Sequence, residues 1–165
     1  MLSLVVALVF SRLDYGSATL AGLPKQLMDR LQSVQNAAAR LIYKACRQDP
    51  VTAQITVHWL RMLERISFRL AVLVYRCLHG SASGYLASDL QRVSHLNARR
   101  RLRSSITSAL VVPRTVRSKI GDSTFPATAA SVWNSLPESV RSSPSSQVFR
   151  SRLKTELFAR SYSYD

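Results

Sequence analysis

Between Lys25 and about Cys46, Leu27, Leu31, Val34, Ala38, Leu41 and Ala45 recur at three- and four-residue steps. That period belongs to one face of an α-helix, not to the alternation of a half-buried strand. A chain with such a stripe must bury it against other elements, and this favours a helical core. Arg40, Lys44 and Arg47 project from the opposite side of the same helix. Pro24 suits its first turn. Asp49-Pro50 ends it, because the residue before a proline is pushed out of the helical region.

The same period returns downstream. A helix is expected from about Leu60 to His79, stopping at Gly80, with Leu63, Ile66, Leu70, Leu73, Val74 and Cys77 on its core face. Arg61, Arg65, Arg69 and Arg76 fall in one narrow sector on the other side, flanked by Phe68 and Tyr75 and including Val72. A face of that composition is expected to contact something, and not only water. At the start of the chain, Leu2 to Leu20 is helix-compatible and apolar nearly all round, so it is buried on most sides or packs on something outside this chain. Leu110-Val111-Val112-Pro113 is a short strand-like run that Pro113 limits to an edge. Helical periodicity resumes at about Pro126 to Leu136 and ends at Pro137. The serines between Ser142 and Ser146 then offer N-caps to a last helix. That helix carries Phe149, Leu153 and Leu157 in four-residue steps, with Arg152, Lys154 and Arg160 exposed. The fold expected is mainly α: a small helical bundle, a basic irregular segment with room for one short β element, and C-terminal helices. Its regions are 1–91, helical; 92–123, a basic irregular linker or arm; and 124–165, helical again.

Charge limits the partners. Lys and Arg number 23 against 9 Asp and Glu, a formal net charge of +14. Self-repulsion at that charge opposes compaction, and a polyanion relieves it. From Arg92 to Lys119 there are eight basic residues and no acidic ones, densest at Arg99-Arg100-Arg101-Leu102-Arg103. Arginine dominates; its planar fork grips phosphate at two points and stacks on bases, as lysine cannot. The block reads equally as a solvated basic segment, including a nuclear-import signal, or as an arm that tracks phosphates.

Little in the sequence points to catalysis. His58, His79 and His95 do not pair with Cys46 or Cys77 at zinc-ligand spacing. There is no P-loop and no GxGxxG. The acidic residues are scattered, with no adjacent Asp-Asp pair, whereas two-metal chemistry needs clustered carboxylates. No catalytic residue, metal or cofactor is expected. Two cysteines make no disulfide framework and read as buried thiols. The apolar run Met1 to Phe10 lacks a positive flank and small cleavage-site residues, and it is too short to span a bilayer. The chain is therefore expected to be intracellular, with the nucleus as one location, and neither secreted nor membrane-bound.

Several segments carry a resemblance. They are Ser11-Arg12-Leu13-Asp14-Tyr15, Ala21-Gly22-Leu23-Pro24 and the run from Leu31-Gln32-Ser33-Val34-Gln35-Asn36 to Ile42. His58-Trp59-Leu60, Arg65-Ile66 and Tyr75-Arg76-Cys77-Leu78-His79-Gly80 follow. Tyr85-Leu86, Leu102-Arg103-Ser104-Ser105, Val112-Pro113-Arg114, Gly121 with Phe125, Trp133-Asn134-Ser135-Leu136-Pro137, Phe149, Leu153-Lys154 and Leu157-Phe158 close the series. In order and spacing they resemble the region just past the palm of LINE-type (non-LTR) retrotransposon reverse transcriptases, in the jockey-like branch. The resemblance covers nearly the whole chain. Departures are Arg61 where relatives have proline, Gly16-Ser17 where they have Cys-Asn, and Ser81-Ala82-Ser83-Gly84, which lacks their proline before Tyr85.

The resemblance implies the thumb-like and C-terminal part of an RNA-directed DNA polymerase whose catalytic carboxylates lie upstream, with residues 1–91 thumb-like. It implies no enzyme activity in this chain alone, and a start at Met1 that looks like a truncated or separately annotated piece of a transposable element. The expected role is sequence-nonspecific binding of RNA or DNA through the backbone by Arg40, Lys44, Arg61, Arg65, Arg69, Arg99, Arg100, Arg101 and Arg103. A second reading makes the chain a protein-interaction module that docks the missing fingers and palm. A third makes it a decayed element remnant without selected function.

Overall fold

Gly80 has a backbone φ of 69°, the left-handed conformation in which side chains are strained, and it ends a helix where the sequence places that end. The computed structural model describes residues 4, 6–15, 24–43, 59–93, 108–113 and 124–162. Its helices are α1 (Ser11–Asp14), preceded by a π-helical turn (Val6–Phe10), α2 (Lys25–Tyr43), α3 (Met62–Leu78), α4 (Gly84–Ser88), α5 (Phe125–Asn134), α6 (Glu138–Arg141) and α7 (Ser146–Tyr162). The protein is mainly helical, as the periodicity requires. The expected continuation of α2 to Cys46 lies outside the described residues. Contacts divide the chain into two compact units, Met1–Ile66 with Lys154–Asp165, and Ser67–Leu153.

In the first unit α2 buries only part of the stripe read from its spacing, at Ala38. Leu27, Val34 and Leu41 are 41%, 48% and 64% exposed, while Gln35, Ala38 and Ala39 are buried. Hydrogen bonding explains the rotation. Gln35 Nε2 donates to the Leu60 carbonyl at 2.7 Å. The Met62 N–H donates to Gln32 Oε1 at 2.8 Å, capping the first turn of α3. The Tyr162 hydroxyl donates to the Trp59 carbonyl at 2.8 Å. Three side chains thus hold the backbone of residues 59–62, and a buried backbone group left unpaired costs more than an exposed leucine. Leu4, Leu8 and Tyr15 are exposed, so the N-terminal segment is not buried on most sides within this chain.

The second unit has an aromatic core. Leu70, Val74 and Cys77 of α3 are buried as their spacing suggests, and Ala71, not assigned to that face, is buried with them. Leu63, assigned to the same face but part of the first unit, is 62% exposed. Tyr75 is a correction: expected beside the arginine sector, it is buried. Its hydroxyl can be buried because it donates to the Ser143 carbonyl at 3.1 Å. Pro126 lies in the first turn of α5, whose small residues Ala127, Ala129 and Ala130 are buried and allow close approach. Pro137 ends that region as expected but also N-caps α6, a helix the sequence reading lacks. The serine break performs its expected role: the Val148 N–H donates to Ser145 Oγ at 3.3 Å at the start of α7.

Among the described residues the strand-like run forms one antiparallel bridge, Arg92 with Leu110. On its other edge the Asn134 side chain takes the place of a strand. Its Oδ1 accepts from the Leu110 N–H at 2.9 Å and its Nδ2 donates to the Leu110 carbonyl at 2.8 Å.

Candidate nucleic-acid interface

Five of the nine expected contact residues, Lys44, Arg99, Arg100, Arg101 and Arg103, lie outside the described residues. Of the other four, one lies on α2, one just before α3 and two on α3. Arg40 is half-buried near the end of α2. Arg61 precedes α3 and is half-buried, its guanidinium 5.2 Å from the centre of the Tyr162 ring. That is cation–π range, so part of its charge is already engaged within the first unit. Arg61 also opposes the upward pull of burial on the Tyr162 phenol, which stays above its ordinary value. Arg65 is half-buried in the same unit, and Arg69 is exposed in the second.

The second unit adds cations that the sequence reading did not assign to the site. Arg76 is exposed, and its Nη2 donates to the Ser81 carbonyl at 3.0 Å. Arg92 Nη2 donates to the Leu78 carbonyl at 3.3 Å. Both guanidiniums therefore sit where α3 ends and its last carbonyls point outward, the end of a helix dipole that favours positive charge. Arg152 is exposed and anchored through Nη1 to the Ser139 carbonyl at 2.8 Å. Arg141, in contrast, is largely covered and paired with Glu138 at 2.9 Å. Glu138 also accepts from Ser108 Oγ at 2.9 Å. A guanidinium tied by one N–H to a backbone carbonyl keeps its other donors for phosphate.

The second unit also holds a ladder of rings. The His79 and Tyr75 rings stack with centroids 3.9 Å apart and 17° between planes. Tyr75 stacks on Phe149 at 4.5 Å, and Phe149 lies 5.8 Å from Trp133. Trp133 Nε1 donates to the Ser108 carbonyl at 2.9 Å. The ladder leads from the buried Trp133 and Phe149 to His79, which is exposed.

Nucleophile chemistry finds no support in the described thiol. Cys77 is free and buried, and burial pushes its pKa above the ordinary value, with Arg76 acting weakly the other way. A protonated thiol is a poor nucleophile. Among the described residues no group of three His, Cys, Asp or Glu could hold a metal ion. Among them, too, no helix is long and apolar enough to cross a membrane. No family model matches the chain, no curated protein matches it, and no solved structure matches it.

Proposed function

We propose that this chain holds RNA or DNA by its sugar-phosphate backbone and does not itself catalyse polymerisation, in keeping with its resemblance to the post-palm region of a LINE-type reverse transcriptase. The observation that carries the reading is the placement of Arg69 and Arg76. Both are exposed on α3, whose opposite face, Leu70, Val74 and Cys77, is core. Seven residues of helix separate them by about 10 Å along the axis. They are cations presented by a rigid element, in a chain of net charge +14. Backbone contacts position a protein on nucleic acid without reading its sequence.

Fluorescence anisotropy with two RNA–DNA duplexes of unrelated sequence tests this reading. Equal affinity for the two at low salt is the expected result. Binding of neither, or of only one, overturns it. With purified protein, primer extension should give no product above a no-protein control, and robust synthesis overturns the non-catalytic part.

A second reading rests on a different surface. Leu27, Val34 and Leu41, seven residues apart and all exposed, form an apolar seam on α2 of the kind that docks another helix. It suits a protein-interaction module that docks the rest of a polymerase. Such a seam also promotes self-association of the isolated chain. A clean monomer on sedimentation at high salt counts against it.

A further inference from the structure

We infer that the exposed imidazole of His79 is a stacking platform for an unpaired nucleobase, with Arg76 beside it for the adjoining phosphate. The inference rests on the proposed binding of nucleic acid and assigns to it a single-stranded contact that backbone binding does not require.

The geometry is a built one. Tyr75 covers one face of the His79 ring at 3.9 Å and 17°. His79 is exposed, and among the described residues Tyr75 is the ring stacked on it. The ring cannot swing freely, because Nδ1 lies 2.8 Å from the Tyr75 carbonyl. A carbonyl only accepts, so Nδ1 is the donor in this contact. Tyr75 is in turn held by its bond to Ser143 and by the ring of Phe149 behind it. An aromatic held this way loses little freedom when a base stacks on it, and such preorganisation raises affinity. Arg76 lies three residues before His79, on the same helical face. Its tie to the Ser81 carbonyl holds the guanidinium at the C-terminal end of α3, which His79 directly follows. Aromatic ring plus cation is the pairing by which proteins bind single strands without sequence preference, since every base has a π-face.

The test compares two single strands with the full chain: an oligothymidylate, and an abasic oligomer with the same number of phosphates. Anisotropy at low salt should show oligothymidylate binding about tenfold tighter, the order expected for one stacked base. His79→Ala should abolish that preference and leave abasic affinity unchanged, while His79→Phe should keep the preference. Upfield movement of the His79 ring protons on adding oligothymidylate is the matching spectroscopic sign. Equal affinity of the native chain for both strands overturns the inference, as does a preference that survives His79→Ala. Binding of the abasic strand without a base preference leaves the proposed function standing and sinks only the platform; binding of neither strand also sinks the platform, and the duplex measurement then decides the proposed function.

Discussion

Replacing Asn134 by alanine should destabilise the second unit by about 2–4 kcal/mol, because it leaves two backbone groups of Leu110 without partners. Leu110 is only 2% exposed, so water cannot readily substitute on its side. The bridge to Arg92 does not help, because its hydrogen bonds use neighbouring residues: Val93 N–H to the Ala109 carbonyl at 3.1 Å, and Val111 N–H to the Gln91 carbonyl at 2.8 Å. Each unmade bond at a buried group costs about 1–3 kcal/mol, and the half-exposure of Asn134 itself pulls the sum below the top of the range. Asn134→Asp is the sharper probe. A carboxylate still accepts from the Leu110 N–H, but it sets a second acceptor against the Leu110 carbonyl, 2.8 Å from the atom it replaces. This variant should lose at least as much stability at neutral pH and recover part of it in acid, where the carboxyl can donate. Urea unfolding followed by Trp133 emission, in a Trp59→Phe background, reads the same segment, since the indole donates to Ser108. A loss below about 0.5 kcal/mol for Asn134→Ala, the range of an ordinary surface change, refutes the role given to this amide.

Other outcomes follow from the same contacts. Phe149→Ala, at a residue 0% exposed between Tyr75 and Trp133, should cost about 3–5 kcal/mol in urea unfolding. Gln35→Ala should cost about 1–3 kcal/mol by removing the donor to the Leu60 carbonyl, read by Trp59 emission in a Trp133→Phe background. Burial raises the Cys77 pKa in the folded chain, so the native state keeps a proton that the unfolded state loses. The resulting stabilisation is fully present below the ordinary thiol value of 9.0 and is lost as pH rises through the higher folded value. Cys77→Ala should therefore flatten the alkaline fall in unfolding free energy relative to the native sequence, and an identical fall in both refutes the assignment.

How far the sequence was legible depended on which physical term decided each element. In α3 and α7 a run of apolar residues at helical spacing and a sharp stop or cap agree, and Ile66, Leu70, Val74, Phe149, Leu153 and Leu157 are buried as read. In α2 periodicity located the helix but not its buried face. The polar amides of Gln32 and Gln35 are needed by backbone around residue 60, and a hydrophobic pattern carries no trace of that demand. Tyr75 was misplaced for a similar reason: its ring stacks on a residue 74 positions away, and its hydroxyl needs a carbonyl that only the folded chain supplies. The strand-like run was correctly limited to an edge, yet nothing in its own residues indicated that Asn134 would occupy the other side. Of the candidate site, Arg69 could be read from helical spacing. Arg76 could be grouped with it, but the stack of Tyr75 on the exposed His79, three residues on, could not be foreseen.

The salt dependence of binding tests the central claim most directly. For an RNA–DNA duplex, the log of the binding constant should fall steeply and linearly with the log of salt concentration, by about 0.9 per phosphate neutralised if the duplex behaves like B-form DNA. Arg69→Gln with Arg76→Gln should make that slope shallower by up to about two units. Neutralising Arg99, Arg100, Arg101 and Arg103 together should do so by up to about four. Affinity independent of salt, or a slope that neither set of substitutions changes, contradicts the account.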